Sequence, residues 1–375
     1  MKLRIVIAAL LVLTACGGTI TKSGSNALRS YSGTASVGDF LAISLNPAAQ
    51  TLAYTDYSNS GTGTVPYTVN GDGTYTFNDP AGNLVSGYEV PNYALLIAAD
   101  KAGPNQDSLA LVTAVEASPI TLSSLKGTQY NYMQFRTTSG GLDAGTVAIN
   151  AQGNVTTSSY WPYGAMGMGG PPDAFSSSSF SFSQIQEDPS GNFMTLTENG
   201  STDYIFGTPG GMFLVDTPNG AILGFQKAAT ASFNPSFAGS YQAVYYQKTN
   251  ATTGQNNQES GTPSLGHATI TLDASGNLSM TDAHSNLLLS GALSPVANTS
   301  YLYDGSPNEI SDPCYGLFTF RIMHSGQPQD VFVTFLNTAM LVSSFSPVSA
   351  SGSGYEYLYG VGLNYGGVSN GSTSQ

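Results

Sequence analysis

TVAINAQGNVT, residues 146–156, and TITLDASGNLS, residues 269–279, align without a gap and decide the fold. In the second copy Ile270 and Leu272 alternate with polar residues, and Leu278 continues the alternation beyond the turn. A period of two predicts strands with one buried face. The glycine-containing turn between the two runs predicts that the strands form an antiparallel hairpin.

The same turn recurs along the chain, with Asp or Asn first and Gly fourth. An Asp or Asn side chain can accept hydrogen bonds from the following backbone, and Gly readily takes the left-handed conformation that such turns need. AISLNPAAQTL, residues 42–52, is a looser third copy of the hairpin. The turns are DPAGN at 79–83, NAQGN at 150–154, DPSGN at 188–192 and DASGN at 273–277.

A later apolar strand is also present three times and shares a leucine: Leu96, Leu214 and Leu341, about 118 and 127 residues apart. A unit of about 95–120 residues is longer than a propeller blade or a solenoid repeat. It fits a complete small barrel or sandwich. The copies are PNYALLIA at 91–98, PGGMFLVD at 209–216 and LNTAMLVS at 336–343.

These repeats predict an all-β protein of three tandem antiparallel β-barrel or β-sandwich units. Tyr and Gly are abundant enough for a transmembrane barrel, but the recurring unit and the N-terminus described below argue against one. The predicted organisation is a signal peptide at 1–15, a lipidated flexible tether at 16–30, β-domains at 31–122, 123–230 and 231–348, and a Tyr/Gly-rich tail at 349–375.

Composition limits the partners. The formal net charge is −13, and only 9% of the residues are charged. Because no cluster of Lys or Arg interrupts this acidity, we expect the chain to be repelled by nucleic acid and by anionic headgroups. Polar uncharged residues and tyrosines favour exposed sheets with many turns.

The N-terminus has the layout of an export signal, because Lys2 and Arg4 precede an apolar run that ends at Leu13. The run is too short to span a bilayer as a helix. The next residues complete the sequence Leu13-Thr14-Ala15-Cys16, which resembles the lipobox of bacterial lipoproteins. The alternative is a secreted protein whose signal happens to end near a cysteine.

The resemblance implies that the Cys16 sulfur carries a diacylglyceryl group and that the chain is cleaved before this residue. Two or more acyl chains hold a protein stably on a membrane. Gly17 stands where an inner-membrane retention signal has Asp, which implies the outer membrane in cells that have one. Cys314 is then left without a disulfide partner, and we interpret it as a small buried apolar residue.

The most unusual stretch is SSYWPYGAMGMGGPPD, residues 158–173, in which Tyr160, Trp161 and Tyr163 lie among prolines and glycines. Aromatic rings on a loop can stack on sugar rings or anchor a protein interface. The alternative is a loop that folds its rings back over one end of a barrel. We take these three residues as the candidate ligand-binding residues.

The sequence assigns no catalytic residue, metal site or cofactor. NGDG at 70–73 lacks the later glutamate of a calcium loop, and a tight turn explains it equally well. His284 and Asp282 make only two metal ligands, and a solvated hairpin end is the favoured interpretation. Carboxylates such as Glu89 and Glu187 cannot be paired from sequence.

We therefore favour a membrane-anchored cell-envelope lipoprotein that acts as a non-catalytic binding module for a glycan or an envelope protein. One alternative is a hydrolase acting on polysaccharide, which needs two carboxylates facing a cleft. The other is a purely structural or adhesive surface protein.

Overall fold

The computed structural model describes most of residues 26–364. The residues in that range that it does not describe are 79–81, 83, 103–107, 136–141, 152–153, 162–179, 182–184, 199, 209–210, 219, 254–258, 297–298, 302–306, 310–314, 325–326, 337 and 348–354. The fold is almost entirely β, as the sequence predicts. Within the described part, helix is confined to α1, Leu122–Leu125, and a 3₁₀ turn at Pro235–Phe237.

The first unit is a closed barrel whose eight strands follow one another in chain order. A closed barrel leaves no sheet edge that could pair with another chain. Its strands are β1 (Arg29–Ala35), β2 (Phe40–Asn46), β3 (Thr51–Asp56), β4 (Gly61–Val69), β5 (Tyr75–Asn78), β6 (Leu84–Val90), β7 (Ala94–Ala102) and β8 (Ser108–Glu116).

The second unit is a nine-stranded sheet in the order β12-β11-β10-β9-β17-β16-β15-β14-β13. Its first strand, β9, pairs with its last, β17, just as β1 pairs with β8. The strands are β9 (Thr128–Phe135), β10 (Leu142–Ile149), β11 (Asn154–Trp161), β12 (Phe180–Ser181), β13 (Ile185–Glu187), β14 (Met194–Glu198), β15 (Ser201–Gly207), β16 (Met212–Thr217) and β17 (Gly220–Gln226).

The third unit is also a nine-stranded sheet, in the order β21-β20-β19-β18-β28-β27-β26-β25-β22, and a two-stranded ribbon of β23 and β24 accompanies it. The strands are β18 (Gly239–Thr253), β19 (Glu259–Leu272), β20 (Asn277–Asp282), β21 (Leu287–Ala292), β22 (Ser294–Pro295), β23 (Thr299–Tyr301), β24 (Pro307–Glu309), β25 (Leu317–His324), β26 (Gln327–Leu336), β27 (Ala339–Pro347) and β28 (Tyr355–Leu363).

Strand β28 comes from the segment that the sequence assigns to a tail. It lies between β18 and β27, so this segment supplies an internal strand of the third sheet. It also makes the first strand pair with the last in this unit, as in the other two. The division of the chain into domains at the stated boundaries remains a prediction.

The turn of the hairpin at 269–279 forms as the sequence predicts. The Asp273 carboxylate accepts hydrogen bonds from the backbone N–H groups of Ser275 and Asn277, both at 2.8 Å. Gly276 has a φ of +83°, a conformation that costs glycine little. In the looser copy Leu45 pairs with Leu52, whereas Leu272 pairs with Leu278, so the first unit has a turn one residue longer.

Strand pairing shows which residues are equivalent in the three units. Arg29 pairs with Leu45, Thr128 with Ile149 and Gly239 with Leu272, and these three partners occupy the same place in the aligned hairpin copies. Two positions further along, all three units bury a tyrosine inside the barrel or sheet. These tyrosines are Tyr31, Tyr130 and Tyr241.

A backbone hydrogen bond repeats with the same symmetry after the last strand of each unit. The donor is the N–H group of the last residue of that strand or of the residue after it. The acceptor is the carbonyl of the residue immediately before the preceding strand. The bonds are Glu116 N to Tyr93 O at 2.9 Å, Gln226 N to Gly211 O at 2.8 Å, and Asn364 N to Thr338 O at 2.7 Å.

The three units share a central core in addition to their own interiors. Leu96, Leu214 and Leu341 are at most 2% exposed and line one small cavity of about 10 Å³. The equivalent leucines thus converge from β7, β16 and β27. Each of these strands buries its inner face inside its own unit and its outer face against the other two.

Aromatic stacking closes the seams between the units. The rings of Phe135 and Tyr359 lie 4.2 Å apart between the second and third sheets, and those of Phe40 and Tyr204 lie 4.5 Å apart between the barrel and the second sheet. At Gly38, with a φ of +92°, a side chain would lie 2.5 Å from the carbonyl oxygen of Thr217. The turn after β1 therefore needs glycine to pack against the second sheet.

The shared core predicts that the three units unfold together. Leu214→Ala should lower the free energy of unfolding by about 2–5 kcal/mol, because the cavity it leaves touches all three units. Urea unfolding should show one coincident transition by far-ultraviolet circular dichroism and by the fluorescence of Trp161. Leu287→Ala, at a side chain that is 62% exposed, is the control and should change stability by less than about 0.5 kcal/mol. Separate transitions for the two probes would contradict a shared core.

Candidate functional site

Two of the three sequence-predicted binding residues lie at one end of the second sheet. Tyr160 and Trp161 are the last two residues of β11, where they pair with Gly145 and Ala144. The first four residues of the predicted 158–173 loop therefore belong to a strand. Tyr163 and the lipobox cysteine Cys16 lie outside the described residues, and their roles remain predictions.

Glu89 is held by four donors inside the first barrel. The Arg29 guanidinium donates to both carboxylate oxygens at 2.6 and 2.7 Å, Tyr75 donates at 2.6 Å, and Tyr31 also donates to it. Burial and the charge of Glu89 raise the pKa of both tyrosines, so the phenols stay protonated as donors. Both carboxylate oxygens are thus engaged by donors of the chain itself, and the buried Glu89 side chain does not face a substrate.

A serine and a histidine meet between the barrel and the third sheet. Ser86 Oγ lies 2.5 Å from His267 Nε2, and burial lowers the pKa of this histidine despite the nearby charge of Asp72. The Asp72 carboxylate accepts from the N–H and hydroxyl groups of Thr74. Ser86 lies within β6, which pairs on both sides, so its backbone is committed to the sheet rather than to an oxyanion. We interpret the pair as an inter-unit hydrogen bond.

Asp216 is a buried acid between the barrel and the second sheet. It is 1% exposed, and Thr34 Oγ1 donates to its carboxyl group at 2.6 Å. Burial raises the pKa of this carboxyl well above its usual range, the hydrogen bond from Thr34 opposes the shift, and three neighbouring carboxylates add to it. Asp216 therefore holds a proton at pH values where exposed Asp residues are ionised.

An open cleft of about 430 Å³ lies at the end of the second sheet where β9 begins and where β10 and β17 end. This volume is within the range of small-ligand sites. We call it the polar cleft, because amide groups, a hydroxyl and an ammonium group line it. Its principal lining residues are Thr128, Gln129, Ala148, Asn150, Gln226 and Lys227.

The third sheet braces one wall of the polar cleft. Lys227 Nζ lies 5.9 Å from the centre of the Tyr315 ring, a cation–π distance. Asn131 Nδ2 donates to the Tyr315 carbonyl at 2.8 Å, and the backbone N–H of Lys227 donates to the Gln129 carbonyl at 2.8 Å. The wall is thus fixed before a ligand arrives, which reduces the entropy cost of binding.

The polar cleft and Trp161 lie at opposite ends of the second sheet. Ile149 borders the cleft, whereas Ala144, five residues earlier on β10, pairs with Trp161. At about 3.3 Å per residue, the two places are about 17 Å apart along the strand. Sequence reasoning missed the cleft because its walls come from separate segments that carry no shared motif.

Metal-ligating residues do not gather in the described part of the chain: no group of three or more His, Cys, Asp or Glu side chains is arranged to hold an ion there. The described residues also include no helix long and apolar enough to cross a membrane.

Comparison with known proteins gives only remote similarity. No protein-family model and no curated protein matches the chain. Among solved structures, transferrin binding protein B of Haemophilus parasuis, a vaccine antigen in double-mutant form, is 11% identical with a TM-score of 0.27; the match covers 90% of this chain and 76% of that one. The intact Ap-TbpB, with its N and C lobes, is 11% identical with a TM-score of 0.26, over 90% and 77% of the two chains.

A protein of unknown function from Nostoc punctiforme is 10% identical with a TM-score of 0.17, and the match covers 91% of this chain and 96% of that one. With identities below 25% and TM-scores below 0.5, none of these similarities establishes a family or a function for this chain.

The buried acid predicts a pH-dependent stability. Since the pKa of Asp216 is raised in the folded state, the folded protein keeps a proton on this carboxyl group that the unfolded chain releases above about pH 4. Stability should fall as pH rises towards the folded-state pKa, by up to about 1.4 kcal/mol per pH unit. In urea unfolding at a series of pH values above about 4, Asp216→Asn should remove that part of the fall. Asp273→Asn, at an exposed turn, should leave the fall intact, and an unchanged slope in Asp216→Asn would contradict the assignment.

Proposed function

We propose that the protein is a lipid-anchored, non-catalytic binding protein of the bacterial cell envelope, with a glycan or an envelope protein as its partner. The observation that carries the proposal is the polar cleft. Its lining offers hydrogen-bond donors and acceptors around a ligand-sized space. The Leu13-Thr14-Ala15-Cys16 sequence supports the anchor, and Gly17 supports the outer membrane as its location.

The environment of three described carboxylates, Glu89, Glu187 and Asp216, also supports binding over hydrolysis. A glycosidase needs two carboxylates that face one cleft. Glu89 is enclosed by its four donors, and Glu187 accepts a hydrogen bond at 3.0 Å from the backbone of Leu122 at the start of α1. Asp216 is directed to Thr34. These carboxylates are employed in holding the structure together.

The anchor is tested by Cys16→Ala in the full-length precursor. The variant should shift from the membrane fraction to the soluble fraction, because the thioether that carries the acyl chains can no longer form. Cys314→Ala should stay in the membrane fraction, since it removes the other thiol and leaves the lipobox intact. Membrane association of Cys16→Ala at the wild-type level would refute the anchor.

The aromatic residues are tested by Trp161→Ala. If the 158–173 segment contacts the partner, the purified lipoprotein should retain at least one component of a detergent-solubilised envelope extract. The amount of that component retained by Trp161→Ala should be lower by about tenfold or more. Trp161→Phe keeps an aromatic ring and should retain most of the binding. Equal retention by wild type and Trp161→Ala would eliminate this loop as the contact.

A further inference from the structure

The end of the second sheet that forms the polar cleft has an equivalent in each of the other units. Arg29 and Gly239 hold the position of Thr128, because their partners Leu45 and Leu272 align with Ile149, the partner of Thr128, in the hairpin copies. Asn364 holds the position of Gln226, since both N–H groups make the repeated hydrogen bond that follows the last strand. The three ends can therefore be compared residue by residue.

Side chains close this end in the first and third units. In the barrel, Arg29 fills the position with a side chain that is 9% exposed and is held by Glu89. In the third sheet, Asn364 is 6% exposed, and its Nδ2 atom lies 2.3 Å from the point that a Cβ on Gly239 would occupy. Each of these ends is filled by a polar group of the chain itself.

The second unit leaves the same end open. Gln226 is exposed, and its side chain lies next to Gly211, with Oε1 2.9 Å from the point that a Cβ there would occupy. A Cβ on Gly127 would meet no atom within 4 Å. Among the described residues, two of the three equivalent ends are therefore filled by a side chain, and the end that forms the polar cleft is not.

We propose that the polar cleft binds a saccharide, an inference that rests on the proposed binding function and names its ligand. Gln129, Asn150 and Gln226 carry amides, which donate and accept hydrogen bonds at one group. Sugar hydroxyl groups do the same, so each amide can satisfy a hydroxyl in either direction. The Thr128 hydroxyl, which donates its own proton to the Leu125 carbonyl, adds an acceptor, and the Lys227 ammonium group adds a donor.

The same lining disfavours other ligand classes. Among the described residues, no carboxylate lines the cleft, which removes the usual ligands of Ca²⁺ and Mg²⁺. Lys227 is the single cation, and a protein with a net charge of −13 would repel a multiply charged phosphate. An apolar ligand would displace the water that hydrogen-bonds to the amide-rich wall and would offer no hydrogen bonds in its place.

The test is a screen of the full-length lipoprotein in detergent micelles on an array of bacterial and plant oligosaccharides. Binding of the best oligosaccharide is then titrated by calorimetry. We expect wild type to bind at least one of them and Ala148→Trp to weaken that binding at least tenfold, because the indole would occupy the cleft. Thr271→Trp, at the equivalent exposed position of the third sheet, is the matched control and should bind like wild type.

Asn150→Trp places the indole at an exposed residue on the cleft rim and should weaken binding even if Ala148→Trp fails to fold. No binding to the array by wild type would overturn the saccharide proposal, and retention of an envelope protein by the same sample would leave the proposed binding function standing. Binding that survives both cleft variants but is lost in Trp161→Ala would overturn the cleft and place the sugar on the aromatic loop.

Discussion

The last two strands of each unit, such as β7 and β8 of the barrel, are buried on both faces, and the rest of the structure depends on this constraint. On β8, Leu111 and Val115 face the central core, whereas Val112 and Ala114 face the barrel interior. A strand that is apolar on both faces cannot leave one of them in water without losing about 25 cal/mol for every Å² exposed. The three units therefore have to pack on each other, and they do so through equivalent strands, which is why Leu96, Leu214 and Leu341 meet.

Symmetry in the core leaves the periphery free to diverge. A substitution at the centre alters the packing of three units at once. Even there the copies differ, because Thr113 stands where the other units have Leu223 and Val361. The Thr113 hydroxyl has no hydrogen-bond partner among the described residues. At the strand ends each unit has its own chemistry, with an ion pair in the first, a buried amide in the third and an open cleft in the second.

The sequence is informative about what is local and repeated. Alternation around Ile270 and Leu272 predicts the hairpins, and the aligned leucines identify strands that the structure confirms as equivalent. What it cannot provide is pairing between distant segments. Thr34 and Asp216 are 182 residues apart, and Ser86 and His267 are 181 apart, so no motif links them. The polar cleft escapes prediction for the same reason, and nothing in the sequence distinguishes Gln226, an exposed lining residue whose equivalent in the third sheet is the buried Asn364.

The scarcity of charge connects the fold to the kind of ligand. Two of the few arginines are committed to ion pairs with carboxylates: Arg29 with Glu89, and Arg321 with Asp330 at 2.6 Å. Lys227 lies over a tyrosine ring. With these cations engaged in internal contacts, the polar cleft has mainly amides, hydroxyls and backbone groups for recognition. Such groups gain little from long-range attraction, so they select a partner at short range by the number and direction of its hydrogen bonds, and a rigid wall between two packed sheets is suited to hold them in place.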